Sequence, residues 1–186
     1  MKLRIRPLTL DLWPALEDLF GKNWPCHDCW CMYWRIGSTY RYRSPDANKE
    51  AFHKVVSDGP PPGLLAFEGE MAVGWRQLTP RNSLPTLELN RQLKRVDDAA
   101  VWSISCFYIR KGYRKRGVTT ALITAALEMA QRAGAVAVEA YPLDAALTPS
   151  ASHTGYASTF ARAGFATVAR HVPARPIMRY TSSSAT

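Results

Sequence analysis

Hydrophobic spacing along the chain switches between a period of two and a period near 3.6, and the switches predict the elements. Residues 3–7 alternate and predict a short strand. Leu12, Trp13, Leu16, Leu19 and Phe20 then recur at helical spacing. They predict a helix over about 10–20, capped by Thr9, with Pro14 tolerated only near its first turn and Gly21 as its stop. Residues 22–31 read as a loop rich in Cys, Trp and His, and 31–37 as a second short helix carrying Tyr33, Trp34 and Arg35. Ser44-Pro45-Asp46 opens a further helix to about Val56, closed by Gly59 and three prolines.

Residues 64–67 and 71–75 flank Glu68-Gly69-Glu70 and predict a hairpin. Residues 79–98 are polar and irregular, with a helical turn around 87–93. Residues 100–109 are rich in β-branched and aromatic side chains and predict a central strand. From Val118 the period changes. Val118, Ala121, Leu122, Ala125, Met129, Ala130 and Ala133 form one helical stripe, ended by Gly134. A strand at 136–141, a short helix at 155–163 and strands at 165–170 and 177–180 complete the pattern. The strand–helix–strand unit over 100–141 requires a crossover and a parallel pair. The expectation is one α/β (α+β) domain over 1–180 and a flexible tail at 181–186.

Composition narrows the classes. The chain has 186 residues, 47% hydrophobic and 21% charged, which excludes disorder throughout. No apolar run approaches a membrane span, and the first six residues alternate charge with apolar groups rather than forming a signal peptide. The expected location is the cytoplasm. Net charge is +9, which points to an anionic partner. Much of the excess sits in one place: Arg110, Lys111, Arg114, Lys115 and Arg116 fall in a segment with no carboxylate between Asp98 and Glu128. That concentration suits a small anionic ligand better than a nucleic acid. No zinc finger, stacking motif or recognition helix supports nucleic-acid binding.

The chemistry concentrates at the junction of the central strand and the long helix, Ile109-Arg-Lys-Gly-Tyr-Arg-Lys-Arg-Gly-Val-Thr-Thr-Ala-Leu122. A turn before a helix presents unpaired N–H groups and the positive end of the helix dipole, which together bind phosphate. Gly117 permits close backbone approach, and Thr119 and Thr120 offer hydroxyls. Neither phosphate-loop nor dinucleotide glycine spacing is present. The segment Arg114-Lys115-Arg116-Gly117-Val118-Thr119 resembles motif A of the GNAT superfamily of acyl-CoA-dependent N-acetyltransferases, Arg/Gln-x-x-Gly-x-Gly/Ala. Here Lys115 stands where Gly is common and Thr119 replaces the final small residue. Val73-Gly74-Trp75 and Ala163-Gly164-Phe165 fit the same pattern.

This resemblance implies a twisted, mostly antiparallel sheet of six to seven strands with a splayed central parallel pair and helices on both faces. It implies acetyl-CoA as acyl donor, with Phe107, Tyr108 and Ile109 presenting backbone to its pantetheine arm. Arg114, Lys115, Arg116, Gly117, Val118, Thr119 and Thr120 would hold its pyrophosphate. The helix at 155–163 would flank the thiol end. Many members carry a tyrosine four residues before the Gly-Phe pair to protonate the departing thiolate; here that position is Phe160, and Tyr156 and Ser158 are the nearby hydroxyls. A base candidate is Glu139, then Asp144. A strand N–H near Tyr108 or Ile109 is the expected oxyanion donor. The resemblance also implies that the first helices border the acceptor, a small-molecule or peptide amine, with Trp34, Arg35 and Tyr141 as its contacts. A homodimer is a common assembly among such proteins, and a GNAT-fold protein that binds acyl-CoA without turnover is the alternative that Phe160 keeps open.

Cys26, Cys29 and Cys31 crowd together with His27 and Asp28. Zinc wants two spaced ligand pairs, and only one dense group is present, so the expectation is structural cysteines and no metal. A redox role lacks the strand-before-helix setting. His27, His53 and His153 read as structural.

Overall fold

The structure is a computed structural model that describes residues 2–21, 26–144 and 153–181. Seven strands form one sheet in the order β1-β2-β3-β4-β5-β7-β6. β1 (Leu3–Pro7) leads through a 3-10 turn at Leu10–Leu12 into α1 (Trp13–Phe20). Thr9 gives this turn no side-chain cap; its hydroxyl goes to the Asp11 carboxylate instead, so the α-helix begins later than the apolar spacing predicts. Two four-residue helices follow, α2 (Cys26–Cys29) and α3 (Tyr33–Ile36). α4 (Pro45–Asp58) starts as read: the Ser44 hydroxyl accepts from Ala47 N–H, Pro45 fills the first position and Asp46 complements the dipole.

β2 (Gly63–Glu68) and β3 (Met71–Pro80) form the expected hairpin around Gly69. β3 is twice as long as the hydrophobic run suggested, because Arg76, Gln77 and Thr79 are buried in it despite their polarity. The segment to the central strand holds α5 (Pro85–Glu88) and short 3-10 turns. β4 (Trp102–Ile109) is central, and α6 (Val118–Arg132) connects it to β5 (Ala137–Ala140). α7 (Ala157–Arg162), β6 (Ala166–Val172) and β7 (Arg175–Thr181) end the fold. Thr181 belongs to β7 rather than to a tail; 182–186 lie outside the described residues.

β4 and β5 are the parallel pair, and every other neighbouring pair is antiparallel. One face of the sheet packs Leu64, Ala66, Leu78, Ile104 and Phe107 against α6 and α7. The other packs Leu65, Phe67 and Trp75 against α1 and α4. On α6 the buried line is Val118, Leu122, Ile123, Ala126 and Ala130. The predicted stripe is therefore rotated: Ala133 is exposed, and Ile123 and Ala126 replace Ala121 and Ala125 at the centre. Gly74 sets the closeness of this packing, since a Cβ there would lie 2.8 Å from Val118 Cγ1.

Candidate active site

The parallel pairing is short. It joins Trp102 to Val138, Ser103 to Glu139 and Ile104 to Ala140, and goes no further. β5 ends at Ala140, the partner of Ile104, and β4 runs on to Ile109 with no strand on that edge among the described residues. At the end of the pairing β4 carries a bulge: Gln77 opposes Cys106 and Leu78 opposes Ile104, leaving Ser105 without a partner. The carbonyl of Ser105 accepts from the Trp34 indole N–H at 3.0 Å, and its hydroxyl donates to Gln77 Oε1 at 3.0 Å.

Past the bulge, β4 side chains alternate. Phe107 and Ile109 face α6, while Cys106 and Tyr108 face the α1 layer, where Tyr108 meets Phe20 edge-on. The backbone alternates as well. Arg110 N–H bonds Val73 in β3, and Phe107 N–H turns to the opposite edge, to the His153 carbonyl at 2.7 Å. By the two-residue period, Ile109 N–H lies on the open edge and Tyr108 N–H on the β3 edge. Of these two amides, that of Ile109 is the one on the edge without a strand among the described residues.

The turn after β4 is exposed from Arg114 to Gly117. Lys115 and Gly117 both have positive φ, 59° and 81°, and Gly117 caps α6 with no side-chain bond to the helix. A Cβ at Gly117 would meet nothing within 4 Å. Left-handed residues before an uncapped helix gather backbone N–H groups into an anion-binding concavity. Arg114 is held over it by the Ile109 carbonyl at 3.3 Å, and Arg116 packs on the Tyr113 ring at 5.1 Å. Val118 is buried, Thr119 half-buried and Thr120 exposed. Thr120 lines a cleft of about 290 Å³ between α6 and α7, with Thr124, Leu127, Arg162, Ala163 and Tyr180. The open edge of β4 and this turn fit a long ligand with a phosphate end.

Glu139 is 1% exposed and does not stand free. Its Oε1 accepts from Arg179 Nε and Nη2, at 3.1 and 2.7 Å. Its Oε2 accepts from Arg81 Nη1 and the Tyr141 hydroxyl, both at 3.1 Å. A carboxylate has about four acceptor positions, and these four bonds fill them. In this arrangement Glu139 has no acceptor position open toward an incoming amine. Asp144 is half-exposed and paired with Arg170 at 2.5 Å. Tyr156 begins α7 and is 37% exposed; Ser158 lies on the exposed side of that helix. Phe160 is fully buried against Phe107 and Phe165.

Two of the three acceptor-side candidates lie together. Trp34 and Tyr141 share one buried cluster beside the bulge, and the Tyr141 hydroxyl bonds Ser103 Oγ at 2.8 Å. Burial and the Glu139 charge push this phenol upward and keep it protonated. Arg35 reaches the Ser83 carbonyl at 3.2 Å, with burial lowering its pKa. Sequence reasoning missed Arg81, which is 1% exposed and bonds Glu88, Glu139, Tyr141, Leu87 and Leu93. It also missed Cys106, which joins Cys26, Cys29 and Cys31. All four are free thiols. A hydrogen bond to Cys106 and full burial push Cys31 up, and burial pushes Cys29 up to about 11. Among the described residues no group of three such side chains is placed to hold a metal ion, and no helix is long and apolar enough to cross a membrane.

No curated protein sequence matches the chain. Among solved structures, the PaiA N-acetyltransferase of Thermoplasma acidophilum in complex with coenzyme A is 15% identical, covers 98% of this chain and 100% of its own, and superposes with a TM-score of 0.57. The NatC complex bound to Gag peptide and CoA is 12% identical over 96% of each chain, with a TM-score of 0.54. AAC(6')-Iy in complex with the bisubstrate analogue CoA-S-monomethyl-acetylneamine is 14% identical over 88% of this chain and 87% of its own, at 0.52. At such identities these likenesses establish the fold. The family model for the acetyltransferase (GNAT) family matches residues 13–150, and the chain belongs to that family.

Proposed function

We propose that this chain moves an acetyl group from acetyl-CoA to a primary amine of a small molecule or peptide, by direct attack in a ternary complex. The observation that carries the reading is the edge of β4 left open beyond Ile104, where β5 ends, running toward the uncapped α6 turn. The solved acetyltransferases above act as the comparison: one was crystallised with an aminoglycoside-derived bisubstrate analogue and one with a peptide and CoA.

Acetyl-CoA supplies the acyl group as an activated thioester. The N–H groups at Gly117, Val118 and Thr119, with Arg114, Lys115 and Arg116 around them, hold the pyrophosphate. Phe107, Tyr108 and Ile109 line the arm, and Ile109 N–H points at the edge where the acyl oxygen gains charge. Trp34 holds the bulge open by bonding Ser105, and Arg35 and Tyr141 border the acceptor. Only a neutral amine attacks. With Glu139 saturated and Asp144 paired, the amine proton passes to water. Tyr156 and Ser158 are the α7 hydroxyls offered to the departing sulfur. Holding both reactants in line supplies much of the acceleration.

Isothermal titration with acetyl-CoA and CoA tests this reading, on the wild type and on Gly117→Glu. The added carboxylate repels the pyrophosphate, so saturable binding should disappear in the variant. A folded wild type that binds neither ligand overturns the proposal. Phe160 and the saturated Glu139 favour a second reading, an acyl-CoA-binding protein without turnover. It predicts binding with no thiol release across a panel of amines.

A further inference from the structure

Two arginines are fully buried in this fold, and they differ completely. Arg81 is surrounded by acceptors. Arg76, five residues earlier on β3, is 0% exposed, and none of its three guanidinium nitrogens has a hydrogen-bond partner among the described residues. Its guanidinium lies 4.0 Å over the Phe107 ring and 5.5 Å from the Phe160 ring. Across the sheet it is registered with Leu64 and Phe107. The groups facing it from β2, β4 and α7 are thus Leu64, Phe107 and Phe160, and none carries charge. Burial alone depresses its proton affinity strongly. A second unsatisfied donor belongs to the same surroundings. Thr154 is 1% exposed with an unpartnered hydroxyl. It lies between His153, whose carbonyl takes the Phe107 N–H, and Gly155, where a Cβ would sit 3.1 Å from Phe160 and 3.4 Å from Phe107.

A buried cation without an anion is among the costliest arrangements in a protein, and ring faces compensate it only in part. It persists where a ligand brings the missing charge. Phe107 lies on the stretch of β4 beyond the end of β5, so the Phe107–Phe160 pair marks the inner end of the open edge. We propose that Arg76, with Thr154, is the receptor for a negative charge at the sulfur end of the acyl donor. This rests on the acyl-donor reading above. Two sources carry that chemistry. One is the departing sulfur: the amine nitrogen bonds the thioester carbon, the C–S bond breaks with its electron pair on sulfur, and the amine proton goes to water. The other is a carboxylate on the acyl group itself, as in a dicarboxylic acyl donor. Phe160 cannot supply a proton at this place; Arg76 supplies a fixed charge.

The experiment compares wild type, Arg76→Met and Arg76→Lys by isothermal titration with CoA, desulfo-CoA, acetyl-CoA and malonyl-CoA. The pH at which bound CoA becomes a thiolate is followed by ultraviolet absorbance. In the thiolate arm, bound CoA ionises at a pH about one lower in wild type than in Arg76→Met, and Arg76→Lys recovers part of the difference. In the carboxylate arm, wild type prefers malonyl-CoA to acetyl-CoA by about tenfold or more, and Arg76→Met abolishes the preference. Without ligand, Arg76→Met melts at or above the wild-type temperature, because an uncompensated charge has been removed. CoA binding with identical thiol ionisation in all three proteins and no malonyl preference overturns the proposal. So does an Arg76→Met protein that folds but melts well below wild type. Wild type that binds no CoA species removes the acyl-donor reading and this proposal with it.

Discussion

Glu139→Gln separates a structural carboxylate from a catalytic one. The substitution keeps the volume and removes the charge. Glu139 accepts bonds from Arg81 and Arg179 while 1% exposed, and the Arg81 side chain is equally buried. Breaking a buried ion pair by neutralising one partner costs ~3–5 kcal/mol. Arg81 keeps Glu88 and Arg179 keeps Asp97, which places the loss near ~3 kcal/mol. For a chain of this size that is a fall in melting temperature of about 6–12 °C. Thermal unfolding followed by tryptophan fluorescence reads it directly, and urea titration should show the midpoint falling at constant slope. Acetyl transfer measured well below the melting transition should retain its pH profile. A variant with unchanged stability and a pH profile that has lost its rising limb would refute the structural assignment and make Glu139 the base.

Gly63→Ala should prevent folding or lower the melting point drastically, since the new Cβ falls 2.1 Å from the Arg76 carbonyl oxygen in the paired strand; soluble yield and circular dichroism check it. At Glu88, burial pushes the carboxyl up, but the bonds and charges of Arg95 and Arg81 outweigh it and leave it lowered. Its contribution is therefore present above the unfolded pKa of about 4.3 and is lost as pH falls below that value; wild type should lose stability there more steeply than Glu88→Gln, and parallel curves would refute it. The raised thiols of Cys26, Cys29 and Cys31 should react slowly with iodoacetamide at pH 8 in the native protein and quickly in urea. Rapid native labelling of Cys26, Cys29 and Cys31 would contradict their raised thiols.

Much of this fold is legible in the chain because its local signals agree. The Ser44-Pro45-Asp46 start, the Gly69 turn and the β-branched run of β4 each name their element without tertiary help. The basic turn before α6 is equally legible, since glycine and five basic residues precede an apolar stripe. What stays hidden depends on pairing across distance. Arg76 and Gln77 read as the end of a strand, because a charge on an apolar run ordinarily meets water. Glu139 reads as a base until Arg81 and Arg179, distant in sequence, are seen to hold it. Thr9 resembles a cap, but Asp11 competes for its hydroxyl. The rotation of the α6 stripe reflects the sheet beneath it, which no helical wheel contains.

The bulge in β4 has an effect on strand parity. Ser103 and Ile104 face opposite sides of the sheet, and so do Cys106 and Phe107, in the same alternating sense. Removing Ser105 would therefore leave each of these side chains on its own face and restore an unbroken alternation. The core accordingly draws nothing from the inserted residue: Ile104, Phe107 and Ile109 would meet α6 without it. Its one extra peptide unit shifts backbone and side chains together: Val101 accepts from Arg81 of the β3 side before the bulge, and Arg110 donates to Val73 of β3 after it. Beyond it the amides of Phe107 and Ile109 address the open edge and those of Tyr108 and Arg110 address β3, so amides and side chains alike go on as though the strand were regular.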